Sequence, residues 1–133
     1  MQTVDMKLAL AILALLTVIA PGALAADWSH AQTVTVTTSE YEFSPKRLVF
    51  KRGVAYRLHI ENQGSEMHEF TAPDFFKAAE IRDPKVLNAD KTEVEVPPGK
   101  AKDLEFVAQQ AGRYKLRCSD HDWAGMMGEI TVE

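Results

Sequence analysis

Short runs in which apolar and polar residues alternate, cut at regular intervals by turn residues, constrain this chain most. Such runs call for strands with one buried face and leave little room for long helices. Tyr56, Leu58 and Ile60 fall on one side of an extended segment while Arg57, His59 and Glu61 fall on the other, as the two-residue period of a strand requires. Residues 34–38 alternate Val with Thr, and residues 47–50 form a short apolar strand ended by Lys51-Arg52-Gly53. Val94 and Val96 run into Pro97-Pro98-Gly99, a strong turn, beyond which Leu104, Phe106 and Ala108 alternate. Gly112 opens a strand over 113–118, and residues 129–133 close the chain. One stretch, 74–80, suits a short helix, with Pro73 and Asp74 near its start. The pattern predicts an all-β, antiparallel domain: a Greek-key sandwich or flattened barrel of about seven to eight strands.

The length of 133 residues, 46% of them hydrophobic, suffices for a single core and no more. Lys7 precedes an apolar run over 8–20, then Pro21-Gly22 and the small-residue site Ala23-Leu24-Ala25. This is the form of a cleaved export signal, and the run is short for a permanent span. The expectation is a signal peptide over 1–25, cleavage near Ala25, and a mature domain over 26–133 in a bacterial periplasm. Asp5 offsets Lys7, which leaves an uncleaved N-terminal anchor as the alternative; no Cys follows the run to accept a lipid. The formal net charge of −4 is unchanged by removing that segment, since Asp5 and Lys7 leave together. Mild acidity offers no footprint for nucleic acid.

Near the C-terminus Cys118, His121 and Met126 are spaced Cys-x2-His-x4-Met, with Gly125 and Gly128 beside the thioether and His68 upstream, beyond the break at Asn62-Gln63-Gly64-Ser65. A thiolate, two imidazoles and a weak thioether form the donor set of a copper electron-transfer centre, whereas zinc rarely recruits a thioether. Taken alone, a Cys and two Met near an apolar strand are core packing; the spacing together with His68 favours ligation. In an oxidising compartment structural cysteines pair, and Cys118 has no partner. One cysteine also excludes a two-copper thiolate centre and an iron–sulfur cluster, leaving one mononuclear site.

The segment resembles the copper-binding loop of the cupredoxins, the blue copper proteins, most closely those of the plastocyanin and pseudoazurin kind. The resemblance is specific in that loop and diffuse over the rest of 33–133. It implies that His68 and His121 are the imidazole ligands, Cys118 the thiolate and Met126 the axial ligand of one type 1 copper. Met127 is the rival axial sulfur, but it lies one residue beyond the family spacing and opens the last strand, which reads as core. Asp120 stands where many relatives carry proline, and Asp122-Trp123 makes the loop more acidic and bulkier. Of the other histidines, His59 lies on a polar strand face, and His30 misses the third position of an amino-terminal copper clamp. Glu66 and Glu69 flank His68, and red-copper relatives use a Glu ligand; Met126 at the axial spacing, and the habit of adjacent strand residues to point to opposite sides, rank that reading lower.

The resemblance implies a soluble, monomeric one-electron carrier rather than an enzyme. It would exchange electrons with a cytochrome, reductase or oxidase, docking near His121, Asp120, Asp122 and Trp123. The competing reading is periplasmic metal handling: copper delivery, or ferrous iron oxidation for an uptake system.

Overall fold

Ten strands stack as two five-stranded sheets in this computed structural model, which describes residues 24–133. The expected export signal thus lies outside the described residues except for Leu24 and Ala25. The first sheet is built from β1 (Gln32–Ser39), β2 (Glu42–Ser44), β4 (Ala55–Asn62), β6 (Ala79–Ile81) and β8 (Ala101–Ala108), in the order β2-β1-β4-β8-β6. The second holds β3 (Arg47–Phe50), β5 (His68–Thr71), β7 (Glu93–Val96), β9 (Gly112–Arg117) and β10 (Met127–Val132), in the order β3-β10-β9-β5-β7. The seven strands legible in the sequence are all present; β2, β5 and β6, of three or four residues each, are additional.

The sandwich is not wholly antiparallel. β1 runs parallel to β4, with Val36 opposite Ile60 and Thr38 opposite Asn62, and β3 runs parallel to β10. The chain changes sheets between β2 and β3 and returns as β4, so a strand of the opposite sheet serves as the crossover that parallel neighbours need. The helix is shorter than expected. It spans Pro73–Lys77, and its exit residues pair instead with β8, Ala79 opposite Ala108. The ladder with β8 gives the backbone groups of these exit residues their partners.

Alternation places the core between the sheets. Phe50 is fully buried and packs edge-on against Phe106 and Tyr56, with centroids at 4.9 and 4.8 Å. Phe75, from the helix, stacks on Phe50 at 6.1 Å. The Tyr56 hydroxyl accepts the Lys51 N–H at 2.9 Å, which gives the buried ring its polar partner.

Candidate metal centre

At one end of the sandwich β5 and β9 share a single register pair, Thr71 opposite Arg117, and then separate. Just past that point the Glu69 N–H donates to Cys118 Sγ at 3.4 Å, so the thiol sulfur takes a donor that the ladder no longer uses. His68 opens β5, and Cys118 follows β9 directly; both are fully buried. The approach to His68 is fixed by buried Asn62. Its amide donates to the carbonyls of Glu66 at 2.7 Å and Val96 at 2.8 Å, and its side-chain oxygen accepts the Gly64 N–H at 2.9 Å.

The segment after Cys118 is tied into a loop by its own backbone. His121 N–H donates to Cys118 C=O at 3.2 Å, Met126 N–H to His121 C=O at 3.3 Å, and Cys118 N–H to Met126 C=O at 3.0 Å. A 3₁₀ turn over Asp122–Ala124 ends at Gly125 with φ 81°, a conformation that favours glycine. That turn sends Met126 into the interior, where it is fully buried, and leaves Met127 on the outside at 40% exposure. The reading of Met127 as core is therefore incorrect. It begins β10 on the outward side, because adjacent strand residues point to opposite faces.

Cys118 Sγ lies 3.4 Å from His121 Nδ1 and 3.9 Å from His68 Nδ1. The ligand atoms of these three residues all fall within 4.8 Å of one another. Donors so close can share one ion with bonds of about 2.0–2.3 Å. Two imidazoles with one thiolate match copper's preference more closely than that of a hard cation.

Carboxylates surround this group. Glu69 breaks the expectation that it would point away from its neighbour's site: all four residues of β5 are buried, and Glu69 Oε2 accepts the Cys118 thiol proton at 3.0 Å. Burial pushes the Glu69 carboxyl above its usual range. Burial, then the hydrogen bond to Glu69, pushes the Cys118 thiol up to about 12. Glu66 Oε2 stands 2.8 Å from His121 Nε2, and Glu40 Oε1 stands 3.2 Å from His68 Nε2. Glu40 is held below the ordinary carboxylate range, chiefly by the backbone N–H of Glu66 and also by that of Ser65 and by the His68 ring at Nε2. Tyr41 lies over His121 with centroids 4.8 Å apart, and its own hydroxyl pKa is raised, first by burial and then by Glu66. Sequence reasoning missed Glu40 and Tyr41, which sit in the turn between β1 and β2 with no motif around them.

Of the expected docking residues, His121 belongs to this cluster, and Asp120, Asp122 and Trp123 lie beside it in the loop. Trp123 is 76% exposed, 5.8 Å from the Tyr41 ring, and its indole N–H donates to the Asp120 C=O at 2.9 Å. Asp120 is exposed, whereas Asp122 is paired with Arg117 at 3.0 Å. His121 itself is only 12% exposed. His59 stays on the outer face of the first sheet, bonded to Asp103 at 2.6 Å and Glu61 at 3.0 Å; exposed His30 bonds Asp27 at 2.6 Å.

The family-wide pattern described as a Cupredoxin-like domain matches residues 8–132. No curated protein sequence matches significantly. Among solved structures, auracyanin B aligns with TM-score 0.59 at 22% identity, over 77% of this chain and 89% of its own. Auracyanin from the photosynthetic bacterium Roseiflexus castenholzii aligns with TM-score 0.58 at 16% identity, over 82% and 99%. A multicopper oxidase from Pediococcus acidilactici aligns with TM-score 0.59 at 14% identity, over 84% of this chain but 28% of its own. At these identities the likeness is one of fold. Among the described residues, no helix is long and apolar enough to cross a membrane.

Proposed function

This chain belongs to the cupredoxin-like domain family, and on that premise we propose that it is an exported type 1 copper protein that carries single electrons between protein redox partners. The observation that carries the reading is the convergence of His68 Nδ1, Cys118 Sγ and His121 Nδ1 at the end of two rigid sheets. Those three residues would hold the ion, and buried Met126, in the same loop, would add a weak thioether donor. Bound copper supplies a one-electron couple. The protein supplies rigidity: Asn62 clamps the approach to His68, and the three backbone bonds within 118–126 fix the remaining ligands. Buried donors are shielded from water, and donors that need not move make a small reorganisation on electron transfer. The His121 side would serve as the electron port, since Tyr41 lies against His121 and exposed Trp123 lies against Tyr41.

The signal over 1–25 directs the domain to the periplasm, and cleavage near Ala25 releases it as a monomer. The test is the visible spectrum of the copper-loaded mature protein. An intense thiolate-to-copper band, lost in Cys118→Ser while the metal-free fold persists, is the expected result; a strong band surviving that substitution overturns the assignment. Copper surrendered rapidly to a weak chelator, with no electron exchange, would instead favour copper delivery.

A further inference from the structure

Both imidazoles in the candidate centre turn Nδ1 toward Cys118 and Nε2 toward a carboxylate. His68 Nε2 lies 3.2 Å from Glu40 Oε1, and His121 Nε2 lies 2.8 Å from Glu66 Oε2. The two carboxylates are themselves organised. Glu40 Oε1 also accepts the N–H groups of Ser65 at 2.8 Å and Glu66 at 2.9 Å, so it holds the backbone that presents Glu66. Tyr41 donates its hydroxyl to Glu66 Oε1 at 3.4 Å and lays its ring on His121. A Cβ on Gly64 would collide with the Glu40 carboxylate where it now lies, so a side chain there would have to displace it. One turn, Glu40-Tyr41, therefore reaches both imidazoles.

We propose that Glu40 and Glu66 are positioning residues of the metal centre, each accepting the Nε2–H of one imidazole and thereby committing both Nδ1 lone pairs to the metal. The inference rests on the reading of His68 and His121 as ligands. A carboxylate behind a ligating imidazole fixes its tautomer and raises its basicity. Two such anions favour the higher charge on the ion, so they hold the centre toward its oxidised state. The pairs differ in setting. His68 is fully buried, while Glu66 is 46% exposed, so salt screens the His121 pair more strongly.

Nitrogen-15 NMR of the metal-free mature protein tests the tautomers without copper. The wild type should show the Nε2–H form at both residues. Glu66→Ala should give mixed tautomers at His121 alone, and Glu40→Ala at His68. Glu66→Gln keeps an acceptor without the charge and should restore the His121 tautomer. After copper loading, Glu66→Ala and Glu66→Gln should both raise the reduction potential, and Glu66→Ala should weaken copper(II) binding by about tenfold to a hundredfold. If Glu40→Ala does not fold, because it also anchors residues 65 and 66, the Glu66 variants decide. An Nδ1–H form in the wild type, or a potential unmoved in both Glu66 variants, overturns the inference while leaving the copper reading intact. A wild type that shows no thiolate-to-copper band overturns the copper reading itself, and the inference falls with it.

Discussion

Glu69 and Cys118 hold each other through two hydrogen bonds of opposite direction: the Glu69 N–H donates to Sγ at 3.4 Å, and the thiol donates to Oε2 at 3.0 Å. With the thiol pushed up to about 12, metal binding must displace its proton. Apparent affinity should therefore climb about tenfold per pH unit across the neutral range, as one displaced proton requires. Glu69→Gln replaces an anionic acceptor with an amide that can donate to the thiolate. Its thiol should titrate lower, and in chelator competition it should outbind the wild type by a constant factor across the neutral range, where both thiols are protonated before binding. Parallel pH profiles with no offset would show that the carboxylate does not control the thiol.

The two sulfurs after Gly125 make separable predictions. Met126→Leu should keep the intense colour and raise the potential, because losing a weak donor destabilises the oxidised ion more than the reduced one. Such a near-isosteric exchange should cost less than about 1.5 kcal/mol in urea unfolding of the metal-free protein. Met127→Leu, at an outward position 40% exposed, should change neither potential nor colour. The reverse pattern in voltammetry would move the axial role to Met127.

For partner docking, Asp120 and Asp122 should differ. Asp120 is exposed, but Asp122 is paired with Arg117, so its charge is already offset locally. In stopped-flow exchange with a basic cytochrome at low salt, Asp120→Asn should slow association more than Asp122→Asn. High salt should erase both effects. Trp123→Ala removes unscreened apolar contact and should slow exchange at every ionic strength. Unchanged rates in all three variants would place docking on another face and strengthen the metal-handling reading.

His59 makes the stability of the metal-free domain depend on pH. Its pKa is raised above the ordinary 6.5, first by the hydrogen bond to Asp103 and then by Glu61. The protonated imidazole therefore contributes stability that is complete below the unfolded value, and that contribution is lost as pH rises through the folded one. Urea midpoints should fall across that window in the wild type and stay flatter in His59→Gln. Identical profiles would show that the pair with Asp103 contributes nothing in solution.

The strands that could be read in advance are those whose alternation survives for four residues or more, such as β4, where every second residue from Tyr56 to Ile60 is buried. β5 escaped because all four of its residues are buried, which removes the two-residue signal. Cys118, His121 and Met126 were legible because one loop supplies all three. Glu40 was not, for a physical reason. It reaches His68 because β1 runs parallel beside β4, with Thr38 opposite Asn62 and the Gln63 N–H bonded to the Thr38 C=O at 2.9 Å. A parallel pair joined through the opposite sheet leaves no local trace, so neither the pairing nor the carboxylate it delivers can be inferred from spacing.

His68 and Cys118 are fifty positions apart and meet where β5 and β9 share a single register pair. An ion bound there links two segments whose closure during folding has a high entropic cost, and whose parting is an early way for this end of the sandwich to open. If the contact forms after the folding barrier, occupancy leaves the folding rate nearly unchanged and slows unfolding instead. A metal bound there would act as a kinetic clasp, giving a domain with no disulfide among its described residues the lifetime that a covalent cross-link provides elsewhere.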